Sequence, residues 1–312
     1  KIERGIRFYF HLNKLKNFDV VQLINEAPVQ TTQKFEFYLL KKVFNQNKKI
    51  FLLCSGVDYM TMSHMVEKKE RYSIMNPYFE KIEEAKVQYE YMFDFLNKNH
   101  KKIHSFLYKN IAGVIASDLD YVNQLKNNEK FLGLVSNPIN LNKIEYKELK
   151  ISNSINIFLG INSGNSFKKG VPFFEKALKI IAEKHPEKVN IKITTDIPYE
   201  QYISIYNDSH ILLDQVYGYD QGYNALEAMA KGKVVFTGAD KEFLNYYNLK
   251  EDEVAINALP DVNYLVEKLS YLIENPSKII EMGQNASKFV KREHDYIKIA
   301  STYLSKWNSI KP

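Results

Sequence analysis

The sequence predicts an α/β protein built from two parallel sheets, each covered by helices on both faces. Three observations support this prediction. Short apolar runs alternate with amphipathic helical patterns along the whole chain. The runs are apolar almost without interruption, as expected for parallel strands buried on both faces. The chain has 312 residues, which is enough for two domains of ordinary size.

Four strands and four helices are expected in the first part of the chain. The predicted strands are residues 19–25, 49–55, 112–117 and 131–135. The predicted helices are residues 31–44, 79–97, 103–110 and 119–127. A Met- and Tyr-rich segment, residues 56–77, has no clear period and interrupts the alternation.

A linker at residues 138–150 separates the two predicted domains, because this stretch of Asn, Lys and Glu has little periodicity. We expect a Rossmann-like N-terminal domain over residues 1–140 and a second such domain over residues 141–292. A C-terminal helix within residues 293–312 is expected to pack back on the N-terminal domain. The predicted strands of the second domain are residues 155–160, 189–195, 210–214, 233–237 and 253–256. Its predicted helices are residues 171–184, 199–207, 223–231 and 262–274.

The two predicted sheets differ in strand number, four against five. The chain also begins at Lys1, already inside a helical pattern. We therefore expect the N-terminal domain to lack its first strand–loop–helix unit, and a naturally short first domain is the alternative.

The positive charge is concentrated in the first part of the chain. Residues 1–140 carry a net charge of +6, which equals that of the whole chain, and residues 141–312 are neutral. Such a surface can contact anionic lipid, an anionic substrate or nucleic acid. Most of these cations are scattered lysines without an aromatic or zinc-finger motif, so we expect no nucleic acid partner and a peripheral contact with an anionic membrane. A solvated, Lys-rich surface without such a partner is the alternative.

Cysteine content and apolar run length exclude several classes of protein. The single cysteine, Cys54, excludes a disulfide framework and a Cys-rich metal cluster, and its place in a strand predicts a small core residue. The longest apolar run, residues 50–57, is far shorter than the roughly 20 residues that span a bilayer. We expect a cytoplasmic protein, peripheral at the inner face of the membrane.

The most informative segment is HILLDQVYGYDQGYNALEAMAKG, residues 210–232. A strand is followed by a loop rich in Gly, Tyr and Asp, and a helix begins near Gly222, Tyr223 and Asn224. The first amides of a helix lack intrahelical partners and attract anions, and Gly222 has no Cβ to keep a phosphate away. Glu227, one turn further, suits either a ribose diol or a solvated helix surface.

A second loop, INSGNSFKKG at residues 161–170, supplies small polar groups and two cations, Lys168 and Lys169. It follows a predicted strand and precedes a helix with Pro172 in its first turn. Because parallel strands end at one edge of the sheet, both loops are expected to face the same crevice. A flexible surface loop is the alternative for these lysines.

These two loops resemble the nucleotide-sugar-binding signature of GT-B glycosyltransferases of the family 4 type, also called glycosyltransferase group 1. The resemblance is carried by FLGINSGNSFKKG and LLDQVYGYDQGYNALEAMAKGKVVFTG, within residues 155–240. It implies two Rossmann-like domains with a nucleoside-diphosphate sugar bound in the second. It also implies transfer of a hexosyl group with retention at the anomeric carbon, without a metal or another cofactor.

The family motifs assign roles to several residues of this sequence. Glu227 matches the second glutamate of the E-x7-E motif, which binds the donor ribose. Lys169, with Lys168 beside it, matches the lysine that neutralises the diphosphate. The remaining donor-binding candidates are Tyr219, Asp220, Gly222, Tyr223 and Asn224.

The sequence departs from the family pattern in two places. Tyr219 stands where the first glutamate of E-x7-E belongs, and Asp220 lies one residue later. The arginine that often precedes the lysine is absent, with Ile161, Asn162 and Ser163 in its region. These departures put the donor-sugar contact in question and leave diphosphate binding to Lys169 and the helix.

Acceptor contacts are expected from the N-terminal domain. The segment after the strand KIFLLCS ends near the crevice, and there Asp58 and His64 are candidates for touching the donor sugar or the acceptor hydroxyl. A lone histidine is more often structural, so a structural role is the alternative for His64. The acceptor is expected to be a glycan or a lipid-linked sugar in surface polysaccharide assembly.

Two other kinds of function stay open from the sequence. One is another GT-B-fold enzyme such as a sugar-nucleotide epimerase, for which the sequence supplies no convincing acid/base set. The other is a non-catalytic nucleotide-sugar-binding subunit, which the Tyr219 departure favours.

Overall fold

Two all-parallel sheets organise the chain, as the alternation of strands and helices predicts. A computed structural model describes residues 1–310. The strands are β1 Val21–Ile24, β2 Ile50–Cys54, β3 Gly113–Ala116, β4 Phe131–Leu134, β5 Ile155–Ile161, β6 Val189–Thr195, β7 Ile211–Leu213, β8 Val234–Thr237 and β9 Ile256–Asn257. Their orders are β1-β2-β3-β4 in the first sheet and β6-β5-β7-β8-β9 in the second. The expected numbers of strands, four and five, are confirmed.

Helices connect these strands throughout. They are α1 Ile2–His11, α2 Gln33–Gln46, α3 Tyr59–Val66, α4 Asn76–Phe79, α5 Lys86–Phe93, α6 Lys98–Asn110, α7 Val122–Leu125, α8 Val171–Lys184, α9 Tyr199–Asp208, α10 Tyr223–Ala230, α11 Lys241–Tyr247, α12 Val262–Glu274, α13 Pro276–Glu293 and α14 Tyr296–Ser309. The α/β class and the Rossmann-like architecture of the prediction are therefore confirmed.

The contacts divide the chain into two compact units. Of the described residues, the first unit holds 1–71, 89–136 and 299–310, and the second holds 72–88 and 137–298. Segment 72–88 thus packs with the second sheet although it lies between strands of the first. Nothing in its composition indicates this placement, because it depends on contacts with residues more than 70 positions away.

The first unit has a core between its sheet and its helices. Leu39 and Leu40 of α2 and Ile103 and Leu107 of α6 are fully buried there with the apolar residues of the strands. From Ile299 onward α14 belongs to this unit, where Ile299 packs with Ile115 and Val135. The core of the second unit is built in the same way, with Phe174 and Leu178 of α8 and Leu265 and Leu269 of α12 buried against β5 and its neighbours.

Several predicted helix positions differ from the structure. The expected helix 79–97 is broken into α4, α5 and short 3₁₀ turns. Segment 56–77, expected to be irregular, contains α3. Helices α11 and α13 were not predicted, although α13 begins with Pro276 and buries Ile279 and Met282 at helical spacing.

Candidate functional site

The two predicted donor loops lie side by side at the carboxyl edge of the second sheet. Strands β5 and β7 are hydrogen-bonded neighbours, with Leu159 opposite Leu213. The loop after β5 and the loop after β7 therefore leave the sheet together. The Val216 amide donates to the Lys169 carbonyl at 3.1 Å and joins the two loops directly.

Gly170 makes this close approach sterically possible. Its φ is +70°, in the left-handed region that favours glycine, and an added Cβ would lie 2.1 Å from Cγ2 of Val216. Gly170 also precedes the first residue of α8. The Lys-Gly pair thus places the lysine at the junction of the two loops.

Lys169 forms an ion pair with Asp214, the residue that directly follows β7. Its Nζ lies 2.8 Å from Oδ1 of Asp214, and the two side chains are 36% and 2% exposed. Asn224 Nδ2 donates to the same oxygen at 3.2 Å, and Thr237 Oγ1 donates to Oδ2 at 3.3 Å. One buried carboxylate therefore joins the ammonium group to the first turn of α10.

The amino end of α10 is open. Gly222 is its N-cap, with no side-chain cap, and nothing lies within 4 Å of the position that a Cβ at Gly222 would take. Tyr223, the first helical residue, is exposed. Unpartnered amides with an unobstructed approach can bind an anion there.

Two tyrosines of α9 hold the first turn of α10. Tyr202 donates its hydroxyl to Oδ1 of Asn224 at 2.8 Å, and Tyr206 donates to the Asn224 carbonyl at 2.8 Å. Burial and the nearby charge of Asp214 raise the pKa of Tyr202 to about 12, so it acts as a neutral hydrogen-bond donor. Glu227, one turn further along α10, is exposed. The pKa of Tyr206 is raised mainly by the burial of Tyr206 itself and next by the nearby charge of Glu227.

Tyr219 is buried in an aromatic pair. Its ring stacks on Tyr72 with centroids 4.7 Å apart and planes 4° from parallel. The Tyr219 hydroxyl donates to the Tyr72 carbonyl at 3.1 Å and accepts from the Tyr72 amide at 3.2 Å. Tyr72 in turn donates its hydroxyl to Asp240 at 2.7 Å. The position of the family's sugar-binding glutamate is thus occupied by a side chain that bonds to its own protein.

Lys168 and Asp220, both predicted to bind the donor, are buried. Lys168 is 8% exposed and Asp220 is 2% exposed. Asp220 accepts a hydrogen bond from the Gln221 amide at 2.8 Å. Of the two neighbouring lysines, Lys169 therefore has the more exposed side chain.

Segment 72–88 also holds the lysine-bearing loop. Gln88 Nε2 donates to the Ser163 carbonyl at 2.6 Å and to Oγ of Ser166 at 3.0 Å. Its Oε1 accepts from the Phe167 amide at 3.2 Å. With Tyr72 on Tyr219 at its other end, this segment contacts both donor loops.

Asp58 and His64, the acceptor-side candidates, belong to the first unit. Asp58 is fully buried and caps α3 by accepting from the Thr61 amide at 2.8 Å, while Cys54 Sγ lies 3.3 Å from its other oxygen. Burial, with the nearby charge of Glu26, raises the pKa of Asp58 to about 6. His64 Nε2 lies 2.7 Å from Glu70, which also accepts from Asn123 at 3.0 Å.

A buried carboxylate, Glu26, lies with two histidines at the carboxyl edge of the first sheet. Glu26 is fully buried, with His100 Nε2 at 2.8 Å and His104 Nδ1 at 2.6 Å from its oxygens. The Tyr59 amide donates to it at 3.1 Å. Burial alone would raise the pKa of Glu26, but the hydrogen bonds from the two histidines bring it below the ordinary value.

Sequence reasoning missed Asp214 and the Glu26 cluster. Asp214 ends a predicted strand beside a lysine-bearing loop, and that placement was a usable signal. Glu26 and its histidines are 74 and 78 positions apart, so no local pattern joins them. Cys54 is buried, as predicted.

Residues 1–310 contain neither a metal-binding cluster nor a helix that could span a membrane. Their His, Cys, Asp and Glu side chains form no group of three that could hold a metal ion. In that same part of the chain, each helix is either too short or too polar to cross a bilayer.

Comparisons with known proteins find similarity to glycosyltransferases. The model of a family described as "Glycosyl transferase-like" matches residues 168–305, which include Lys169 and the whole loop after β7. A comparison with curated proteins finds no match.

Solved glycosyltransferase structures share the fold over nearly the whole chain. Sucrose-phosphate synthase from Thermosynechococcus elongatus has a TM-score of 0.62 and 13% identity, covering 96% of this chain and 75% of its own. A variant of S. aureus TarM, solved with fondaparinux, alpha-GlcNAc-glycerol and UDP, has a TM-score of 0.61 and 14% identity, covering 96% and 58%. HepE from Anabaena, solved with UDP-glucose, has a TM-score of 0.61 and 11% identity, covering 97% and 82%. The chain therefore has the fold of these glycosyltransferase structures, and its residues 168–305 are similar to the glycosyl transferase-like family.

Proposed function

We propose that this protein is a retaining glycosyltransferase that moves a hexosyl group from a UDP- or GDP-sugar to an acceptor hydroxyl. The observation that carries the proposal is the pairing of a half-exposed ammonium with an open helix end. Lys169 and Asn224 bond to the same oxygen of Asp214, and Gly222 leaves the amides of α10 accessible. A cation beside unpartnered amides suits a diphosphate.

Stabilisation of the leaving group is the chemical task that we assign to this site. Negative charge develops on the nucleoside diphosphate as the glycosidic bond breaks, and a preorganised cation and aligned amides stabilise it. Lys169 and the start of α10 supply both, and we propose that they serve without a metal. On the same face of the sugar, the leaving phosphate would assist the acceptor hydroxyl and so give retention.

Glu227 is proposed to bind the ribose hydroxyls. It lies on α10 one turn beyond the helix start, and its exposed carboxylate can accept two hydrogen bonds from a vicinal diol. The phosphates at the start of the helix and the ribose at Glu227 would then belong to one nucleotide.

On the acceptor side we propose His64 and Asp58 of the first unit. The bond to Glu70 orients the His64 ring, as carboxylate partners of functional histidines do. Asp58 is fully buried, so we propose that it acts by fixing the start of α3, the helix that carries His64.

The proposed acceptor is a glycan or a lipid-linked sugar, and the proposed role is surface polysaccharide assembly. The TarM structure with alpha-GlcNAc-glycerol and the HepE structure with UDP-glucose support this class of substrates. We further propose a peripheral contact with an anionic membrane at its cytoplasmic face. Ile2, Ile6 and Phe10 are exposed along one face of α1. The same helix also carries Arg4 and Arg7.

A ligand screen tests the donor proposal. UDP or GDP at 100 times its Kd should stabilise the folded protein by about 2.7 kcal/mol and raise its melting temperature. Glu227→Ala should lose most of the shift, whereas Glu267→Ala on α12 should keep it. No shift with either nucleotide would refute the donor site, and a full shift in Glu227→Ala would refute the ribose assignment.

A vesicle assay tests the membrane contact separately. The protein should bind vesicles that contain phosphatidylserine at low salt and release them as salt rises. Ile6→Ser with Phe10→Ser should weaken this binding and leave the nucleotide shift intact. Equal binding to neutral vesicles, or none at low salt, would overturn the proposed contact.

A non-catalytic nucleotide-sugar-binding subunit is the second candidate. It is favoured by Tyr219, whose hydroxyl bonds to Tyr72 at the position of the family's sugar-binding glutamate. Donor hydrolysis or transfer to an acceptor separates the two functions. Tight UDP or GDP binding without turnover of any donor would favour the subunit.

A further inference from the structure

We infer that Asp214 is the positioning residue of the diphosphate site, and that it acts through Lys169. The inference rests on the proposed function, because it concerns how the lysine and the start of α10 are arranged around the diphosphate. Asp214 itself is buried, with 2% of its side chain exposed, so it is not placed to touch a ligand.

The burial of Asp214 requires the lysine to stay in place. A buried carboxylate without a cation partner is strongly unfavourable. In the part of the chain that the structure describes, the hydrogen-bond partners of this carboxylate are Lys169, Asn224 and Thr237. Lys169 alone among them carries a charge, so the pair anchors its ammonium at a defined point on the loop.

The pair leaves the lysine able to bind a second anion. An ammonium group has three N–H donors, and one of them is directed at Oδ1 of Asp214 at 2.8 Å. The Lys169 side chain is 36% exposed. The remaining donors can therefore reach a phosphate while the bond to Asp214 persists.

The same carboxylate sets the position of the lysine relative to α10. Asn224, the second residue of α10, donates to Oδ1 of Asp214 at 3.2 Å and accepts from Tyr202 at 2.8 Å. Thr237, at the end of β8, donates to Oδ2. Asp214 thus joins the cation, the helix start and a neighbouring strand end, and fixes the gap that a diphosphate would fill.

The test compares UDP with uridine, because uridine has no phosphate for Lys169 to bind. Asp214→Asn keeps the size and one acceptor of the side chain but removes its charge, so the ammonium loses its anchor. We expect UDP affinity to fall about tenfold and uridine affinity to stay within twofold. Glu36→Gln, which alters a buried carboxylate of the first unit, is the matched control and should change neither affinity.

A double-mutant cycle shows whether Asp214 acts through the lysine. In a Lys169→Ala background, Asp214→Asn should cause no further loss of UDP affinity. The double variant has no unpaired carboxylate at position 214, so we expect it to fold. If Asp214→Asn alone folds poorly, Asn224→Ala cuts the link to α10 and should also lower the affinity for UDP but not for uridine.

The possible outcomes distinguish a failure of the proposed diphosphate site from a failure of the inference about Asp214. A wild-type protein that binds uridine but gains nothing from the diphosphate of UDP would overturn both the site and this inference. Equal losses for UDP and uridine, an undiminished effect of Asp214→Asn without Lys169, or tighter UDP binding by Asp214→Asn would overturn the inference alone.

Discussion

The carboxyl edges of the two sheets carry buried carboxylates in opposite settings. In the second unit, Asp214 pairs with a lysine that stays 36% exposed, beside a helix start where no atom of the described residues lies within 4 Å of a Cβ placed at Gly222. In the first unit, the Glu26 oxygens are taken up by His100 and His104, which are 2% and 15% exposed. The carboxyl edge of the second sheet therefore presents the charged Lys169 to solvent, whereas the corresponding edge of the first sheet encloses Glu26.

This difference teaches that a buried acid at a strand end is not in itself a sign of ligand binding. Asp214 differs because its partners can still bind a ligand. The Lys169 ammonium has further N–H donors, and the start of α10 has unpartnered amides. The Glu26 cluster has its hydrogen bonds directed inward, which indicates a structural role. The predictions below test this contrast.

Replacement of Glu26 should have the largest effect on stability. Glu26→Gln leaves two imidazoles and the Tyr59 amide facing a neutral amide, so the free energy of unfolding should fall by about 3–5 kcal/mol. UDP affinity should remain unchanged. Urea unfolding and a UDP titration measure the two quantities.

The control for this variant is Glu70→Gln, since Glu70 bonds His64 and Asn123 from a half-buried position. It should lose no more than about 1 kcal/mol. A stable Glu26→Gln protein with weakened UDP binding would contradict the contrast between the two edges.

Two glycines of the donor loops should respond in opposite ways. Gly170→Ala combines a φ of +70° with a 2.1 Å approach to Val216, so we expect a loss of about 2–4 kcal/mol in stability. Gly222→Ala meets nothing within 4 Å and should fold normally, yet weaken UDP binding because its methyl group stands before the amides of α10. Thermal unfolding and UDP titration of both variants check this, and normal UDP affinity in Gly222→Ala would mean that phosphate does not approach the helix end.

The buried Asp58 should make stability depend on pH. Its folded pKa of about 6 lies above the ordinary aspartate pKa of 3.8, so ionisation opposes folding, and the wild type loses stability as pH rises from about 4 through 6. Asparagine is also a good helix cap and does not ionise. The free energy of unfolding of Asp58→Asn, relative to wild type, should therefore rise by roughly 1–3 kcal/mol between pH 4 and pH 7.5. Urea unfolding at both pH values measures the gain.

Asp261→Asn, at the cap of α12, controls for the exchange of a capping carboxylate for an amide. A pH profile of Asp58→Asn that parallels the wild type would show that Asp58 is not the group responsible.

Removal of the Tyr219 hydroxyl should have the smallest effect. Tyr219→Phe loses the bonds to the Tyr72 carbonyl and amide but keeps the ring stack, which should cost about 1 kcal/mol of stability. Affinities for UDP and for a UDP-sugar should both stay within twofold of wild type. Titration with the two ligands checks this, and a selective loss for the UDP-sugar would show that Tyr219 contacts the sugar.

Much of the fold follows from local patterns. Strands 189–195 and 155–160 are predicted almost to the residue, because the first alternates apolar and polar residues and the second is mainly apolar. Helix α3 was missed because its start depends on Asp58, whose role as a cap appears only with the Thr61 amide in place. Segment 72–88 could not be assigned to the second unit, since Tyr72 and Tyr219 are 147 positions apart.

The sequence by itself determined the alternation of strands and helices, the glycine that opens α10 and the lysine before Gly170, because these depend on neighbouring residues and backbone preferences. Only the tertiary structure decided that Asp214 holds that lysine, that Tyr219 stacks on Tyr72 and that Glu26 joins two histidines. The physical reason is that hydrogen bonds and ring contacts between distant positions depend on strand order. Placing β7 beside β5 brought Asp214 within 2.8 Å of Lys169.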